Sequence, residues 1–186
     1  NPVFTSTARS WVGGMPTALL EVGRRAMNQL VLETGETSFL AVLRDPMHIE
    51  YVEKVLSPSE VRCDGELHVP RAIHSNSPGL VLLAYQQTQV IEQYLAAAEL
   101  TAHTPKTITD REQLAQELAA ARRRGDATTS DTNTVGVSGV SAPVFGPQGK
   151  VVAALNISVP TPRFTRTVKE TVTARVVDWA ERISGE

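Results

Sequence analysis

Val151-Val152-Ala153-Ala154-Leu155-Asn156-Ile157-Ser158-Val159 decides how this chain folds and where it works. Side chains alternate faces along a strand. Val151, Ala153, Leu155, Ile157 and Val159 therefore share one face, which is core. Val152, Ala154, Asn156 and Ser158 share the other. Polar residues beside small apolar ones suit the wall of a ligand cleft, which is apolar with a few placed polar groups. The plain alternative is a face turned to water.

Working outward, the turn Gly146-Pro147-Gln148-Gly149 joins this strand to an earlier one over Val135–Phe145. A short Gly-bearing loop between two strands marks a hairpin, so the pair is antiparallel. In the earlier strand Val137, Gly139, Ser141 and Pro143 fall on one face. Downstream, Val168, Val172, Val176, Trp179 and Ile183 repeat at helical spacing. Upstream, Leu114, Leu118 and Ala121 stripe another helix, which Gly125 ends. Thr109-Asp110-Arg111-Glu112 reads as its capping box, with the Thr109 hydroxyl as the cap.

Helical periodicity begins after Pro16, with Leu19, Val22, Ala26 and Leu30, and stops at Gly35. Thr37–Leu43 is apolar on both faces and so predicts a central strand. Arg44-Asp45-Pro46-Met47 turns it into a second strand, Ile49–Val55. Ser57 to Asn76 is irregular, and long loops in compact domains are often functional. Ser77-Pro78 opens a helix through Leu80–Ala84, since proline suits the first helical position. Another helix runs from Thr88 to Leu95. Segregated helices and hairpins predict an α+β domain with helices packed on the sheet.

The chain has 186 residues, enough for one domain, and a formal charge of −2. That balance excludes a basic nucleic-acid footprint within this chain. One cysteine, Cys63, excludes a disulfide framework and cysteine-pair metal knuckles, and fits a reducing cytoplasm. No apolar run reaches membrane-spanning length. The first residues carry neither initiator Met nor leader pattern, so we read a piece of a longer protein, with residues 1–15 as linker or tail and residues 16–186 as the domain.

Four blocks, in order, resemble those of IclR-type regulator effector-binding domains. The first is Glu33-Thr34-Gly35-Glu36-Thr37 with Leu40–Leu43. The second is Pro70, His74, Gly79 and Leu82–Ala84. The third comprises Thr104, Thr107–Asp110, Leu114, Glu117-Leu118 and Arg122–Gly125. The fourth is Gly136, Ala142–Phe145 and Ala153–Leu155. The resemblance implies a GAF-like (profilin-like) curved antiparallel sheet with helices on both sides. It implies a non-enzymatic ligand sensor preceded by a winged helix-turn-helix domain, which alone contacts DNA. It also implies a dimer or tetramer, repressor or activator, that senses a small carboxylate and needs no cofactor.

The resemblance places the effector beside the helix opening at Ser77-Pro78-Gly79 and against Thr129, Gly139, Asn156 and Ser158, and alternation adds Ser141, on the face of Gly139. A helix N-terminus offers free N–H groups to an anion. Here Pro78 lacks an N–H and Leu80 stands where the pattern has Lys, which weakens that clamp. Ser77 reads equally well as a simple N-cap. Members that bind small 2-oxo acids often carry Cys at the position of Gly139 and Asp at that of Thr129. Their replacement here predicts a roomier, more apolar site for an aromatic or cyclic monocarboxylate, held by Ser77, Asn156 and Ser158.

The four histidines, His48, His68, His74 and His103, show no short metal-ligand spacing and are read as surface or capping residues. The Arg122–Arg124 run complements a helix C-terminus. The competing function class is a free-standing GAF-like enzyme such as a sulfoxide reductase, which needs redox cysteines that a lone Cys63 does not supply. For self-association, the expected surface is the exposed part of the helices around Leu80–Tyr94.

Overall fold

A computed structural model describes residues 17–185 of the chain. The expected linker at residues 1–15 lies outside the described residues. Helix α1 (Thr17–Thr34) leads into strands β1 (Thr37–Leu43), β2 (His48–Val55) and the short β3 (Arg71–Ala72). Helices α2 (Ser77–Ala84), α3 (Thr88–Ala97) and α4 (Arg111–Arg124) follow. Strands β4 (Ala127–Ser130), β5 (Val137–Phe145) and β6 (Val151–Pro160) precede α5 (Arg166–Ile183). The six strands form one antiparallel sheet in the order β3-β2-β1-β6-β5-β4. The α+β, GAF-like architecture expected from the sequence is the one that folds.

Each sheet face buries a separate core. On one, α1 and α5 cover Val140, Ala142, Val144, Leu155 and Ile157. On the other, α2, α3 and α4 cover Phe39, Ala41, Ile49, Tyr51 and Ala154. β1 lies between β2 and β6 and is buried on both faces except at Leu43, as its double apolar pattern predicts.

Local chemistry explains several departures from the sequence reading. The register of β5 and β6 shifts between Val144 and Phe145, so Phe145 pairs with Val151. A bulge reverses the alternation beyond it. Val152, not Val151, packs on the α1/α5 core, while Val151 packs on the α2–α4 core. From Ala153 to Val159 the alternation holds. The cap of α4 is Asp110, whose carboxylate accepts from Gln113 N–H at 2.7 Å, and not Thr109. β5 starts at Val137, two residues later than expected, because Gly136 takes a left-handed φ of 88°. β3 and β4 are too short for period-two alternation to reveal them. All eight residues of α2 are buried. It therefore cannot supply the contact surface expected around Leu80–Tyr94, and only the outer side of α3 remains.

Candidate functional site

Cross-strand pairing on the α2–α4 face sets out two adjacent rows. One runs Thr37, Ser158, Gly139, Thr129, and the next Phe39, Asn156, Ser141, Ala127. The first turn of α2 lies on these rows. Asn76, not Ser77, is its N-cap: Asn76 Oδ1 accepts from Gly79 N–H at 3.0 Å, and its Nδ2 donates to Ala72 O at 2.6 Å. With the cap supplied one residue earlier, Ser77 is free to face the sheet. Gly79 is needed for close approach, since a Cβ there would lie 2.2 Å from Ile73 O. Pro78 sits in the first turn, where a missing N–H costs least.

Ser77, Ser141, Asn156 and Ser158 meet in one hydrogen-bonded cluster. Ser77 Oγ is 2.9 Å from Ser141 Oγ. Asn156 Nδ2 reaches Ser77 Oγ at 3.1 Å, Ser141 Oγ at 2.9 Å and Val140 O at 3.2 Å. Ser158 Oγ donates to Asn156 Oδ1 at 3.0 Å. The row does not face water, because Asn156 is 1% exposed and Ser141 fully buried.

Counting hydrogens exposes an imbalance. Val140 O only accepts, so the Asn156 atom beside it is the amide nitrogen, which only donates. Ser77 and Ser141 thus have only each other as acceptors for their two hydroxyl hydrogens. One hydroxyl can donate to the other. Among the described residues, the second hydrogen has no acceptor.

Gly139 lies against this cluster. A Cβ there would stand 3.0 Å from Ser77 Oγ and 3.3 Å from Asn156 Nδ2. The room expected from the missing side chain is therefore already taken by the hydroxyl and the amide. Thr129 shares the row of Gly139 and Ser158 at the sheet edge but makes no hydrogen bond to the cluster. It lines a separate open cleft of about 820 Å³ with Arg124, Asp126 and Lys169. Arg124 there is paired with Glu117 at 2.8 Å, and Asp126, Lys169 and Glu170 add further charged groups to the lining.

Beside the cluster stands an aromatic wall that the sequence reading missed. Phe39, cross-strand neighbour of Asn156, stacks on Tyr51 with centroids 4.3 Å apart. Gly65, in the long loop after β2, lies over both rings, where a Cβ would be 3.2 Å from Tyr51. Arg71 places its guanidinium 4.9 Å from the Tyr51 centroid and donates from Nη2 to Glu66 O at 3.2 Å. Burial pushes the Tyr51 hydroxyl up to about 12, so it stays protonated at neutral pH. Finding this group from sequence requires the cross-strand register, which composition and periodicity do not contain.

The histidines are less scattered than their spacing implies. His74 and His103 stack with centroids 5.8 Å apart. His74 Nε2 donates to Thr101 O at 3.0 Å, leaving Nδ1 to accept from Tyr94 Oη at 3.5 Å. Burial, above all, lowers the His74 pKa. Burial also raises the Cys63 thiol to about 11, which leaves almost no thiolate at neutral pH.

The family model described as Bacterial transcriptional regulator IclR C-terminal matches residues 16–185. The HTH-type transcriptional regulator KdgR of Dickeya chrysanthemi is 31% identical over 160 residues, covering 86% of this chain and 52% of that protein. The chain spans about half the length of such curated relatives. The C-terminal domain of E. coli KdgR superposes with a TM-score of 0.81 at 29% identity, covering 90% of this chain and 97% of that one. A double mutant of the PobR inducer-binding domain from Acinetobacter, solved with 3-hydroxybenzoic acid, superposes with a TM-score of 0.79 at 26% identity, covering 87% and 95%.

Proposed function

Because this chain belongs to the IclR family of bacterial transcriptional regulators, we propose that it is the effector-sensing part of one, binding a small organic acid. A ligand changes the regulator's state only through differential affinity for its two conformations, and a domain elsewhere in the protein reads that state on DNA. The observation that carries this reading is the buried hydroxyl hydrogen between Ser77 and Ser141 that lacks an acceptor among the described residues. A buried donor left unpaired costs about 1–3 kcal/mol, and an oxygen of a bound ligand removes that cost.

The adjoining Phe39/Tyr51 wall supports an effector with an aromatic or cyclic body. The likeness to an inducer-binding domain solved with 3-hydroxybenzoic acid supports the same class. Ser77, Asn156 and Ser158 hold a polar oxygen of the effector, with Ser141 completing the cluster. Pro78 and Gly79 shape the approach, Gly139 brings backbone close, and Thr129 closes the row at the sheet edge. Asn156→Ala removes the amide whose two hydrogens are shared among Ser77, Ser141 and Val140 and lowers affinity about tenfold or more, since about 1.4 kcal/mol is tenfold. Calorimetry with acids selected by thermal shift is the test. Parent-like binding by both Asn156→Ala and Ser158→Ala contradicts the reading.

The same reading assigns the protein to the cytoplasm, as a dimer or tetramer, with no catalytic step and no cofactor. Relatives named as transcriptional regulators support this over a GAF-like reductase. The slightly negative charge supports DNA contacts outside this chain, because phosphate neutralisation dominates such binding. Retardation of DNA by this chain alone at physiological salt contradicts it.

A further inference from the structure

The long loop after β2 covers one more unsettled polar group. Arg71 follows this loop on β3, paired with Ile49, so its side chain shares the face of Ile49 and Tyr51. Arg71 Nε is buried and has no hydrogen-bond partner among the described residues. The Tyr51 hydroxyl, under the same loop, makes no hydrogen bond among the described residues either. A buried donor on a permanent cation thus lies at an aromatic surface without an acceptor, and the ring beneath it carries a second, hydroxyl donor. Backbone and ring contacts fix the guanidinium: Nη2 is held by Glu66 O, and the plane is held over Tyr51. Nε is the buried donor left to recruit, and the Nη1 hydrogens beside it are also unclaimed among the described residues. Oxyanions suit such a site, because charge-assisted bonds from Arg are about twice as strong as neutral ones.

From this we infer that Arg71, with Tyr51, is the carboxylate anchor of the effector pocket. The inference rests on the proposed sensing role and divides the ligand between two ends. Its carboxylate lies at Arg71 and Tyr51, its ring lies against Phe39, and a second oxygen reaches Ser77 and Asn156. Phe39 links the two ends, being cross-strand neighbour to Asn156 and stacked on Tyr51. The cation absent from the start of α2, where Leu80 stands, is thus supplied from β3. The effector class narrows to ring acids that carry a hydroxyl or carbonyl away from the carboxylate.

The test uses pairs of ring acids and their primary amides: 3-hydroxybenzoate, 4-hydroxyphenylacetate and 3-oxocyclohexanecarboxylate, each with its amide. Binding to this chain is measured by calorimetry. Parent protein is expected to bind at least one acid tenfold or more tightly than its amide. Arg71→Gln loses that preference, weakening the acid tenfold or more and the amide less than threefold. Arg71→Lys, which keeps charge but not Nε, recovers only part of it. Tyr51→Phe keeps the stacked ring and reduces acid binding by a smaller factor. Asn156→Ala weakens acid and amide alike. A panel in which no acid is preferred over its amide overturns the anchor. So does an Arg71→Gln protein that binds acids as the parent does. If that variant is unchanged while Asn156→Ala fails, the anchor falls and the sensing site stands. If Arg71→Gln loses acids while Asn156→Ala and Ser158→Ala bind normally, the anchor stands and the serine–asparagine cluster is not part of the pocket.

Discussion

The two faces of the sheet both bury hydroxyl groups, and they settle them differently. On the α1/α5 face, Ser130 Oγ meets Ser138 Oγ at 2.9 Å, Ser138 meets Thr161 Oγ1 at 3.0 Å, and Thr161 donates to Asp131 Oδ1 at 2.8 Å. That chain ends on a carboxylate, so every hydrogen has an acceptor. Lys106, first, and then Thr161 hold the Asp131 carboxyl down at about 2, which keeps the acceptor charged. On the α2–α4 face, the Ser77–Ser141–Asn156 cluster has no carboxylate and one hydrogen too many. A face that only has to hold the fold closes its polar chains. On the proposed reading, the face that leaves a donor open is the one that receives a ligand oxygen.

The largest effect should come from breaking the closed face. Leu155→Ala empties a fully buried site against α1 and α5 and should cost about 2–5 kcal/mol in urea unfolding, with ligand binding of the folded fraction unchanged. Asn156→Ala, one residue on, should cost less in stability, about 1–3 kcal/mol from the groups it leaves unpaired, yet more in binding. Adjacent residues on opposite faces thus trade their phenotypes. If Leu155→Ala impaired binding more than stability, the division between faces would be wrong.

A change remote from both faces calibrates these. Asp110→Ala removes the α4 cap and should cost about 1 kcal/mol, read as a lower unfolding midpoint with unaltered binding. The smallest expected change is in pH dependence. The His74 pKa is lowered on folding, so the unfolded chain binds more protons just below its unfolded value of about 6.5. Stability from this group is complete above that value and lost as pH falls through the lower folded one. A His74→Gln variant should flatten that slope, and an unchanged slope would remove His74 from the account.

The elements were legible in the sequence where a long period repeats. β1, β6, α1 and α5 carry enough apolar positions to fix type and buried face. The bulge was not, because the slip beyond Val144 depends on how β5 meets β6 and not on either strand alone. In the site, alternation alone placed Asn156 and Ser158 on one face, and cross-strand pairing then brought Ser141 and Gly139 beside them. Ser77 was ambiguous because capping by Asn76 depends on the turn before α2. Arg71 and Tyr51 were invisible because they join only once β3 pairs with β2 beneath the long loop. Long-range register, not composition, carries that part of the proposed site.

The central claim is that the unsettled polar cluster of the α2–α4 face receives the ligand. Side-chain amide NMR of Asn156 in the ¹⁵N-labelled chain tests it most directly, during titration with the tightest-binding acid of the panel. The account predicts a saturable shift at the Asn156 amide and at the backbone of Gly139 and Ser141, with Leu30 and Val176 on the other face unmoved. Binding seen by calorimetry, with shifts confined to the charged cleft of Arg124 and Lys169 and none at Asn156, would contradict it.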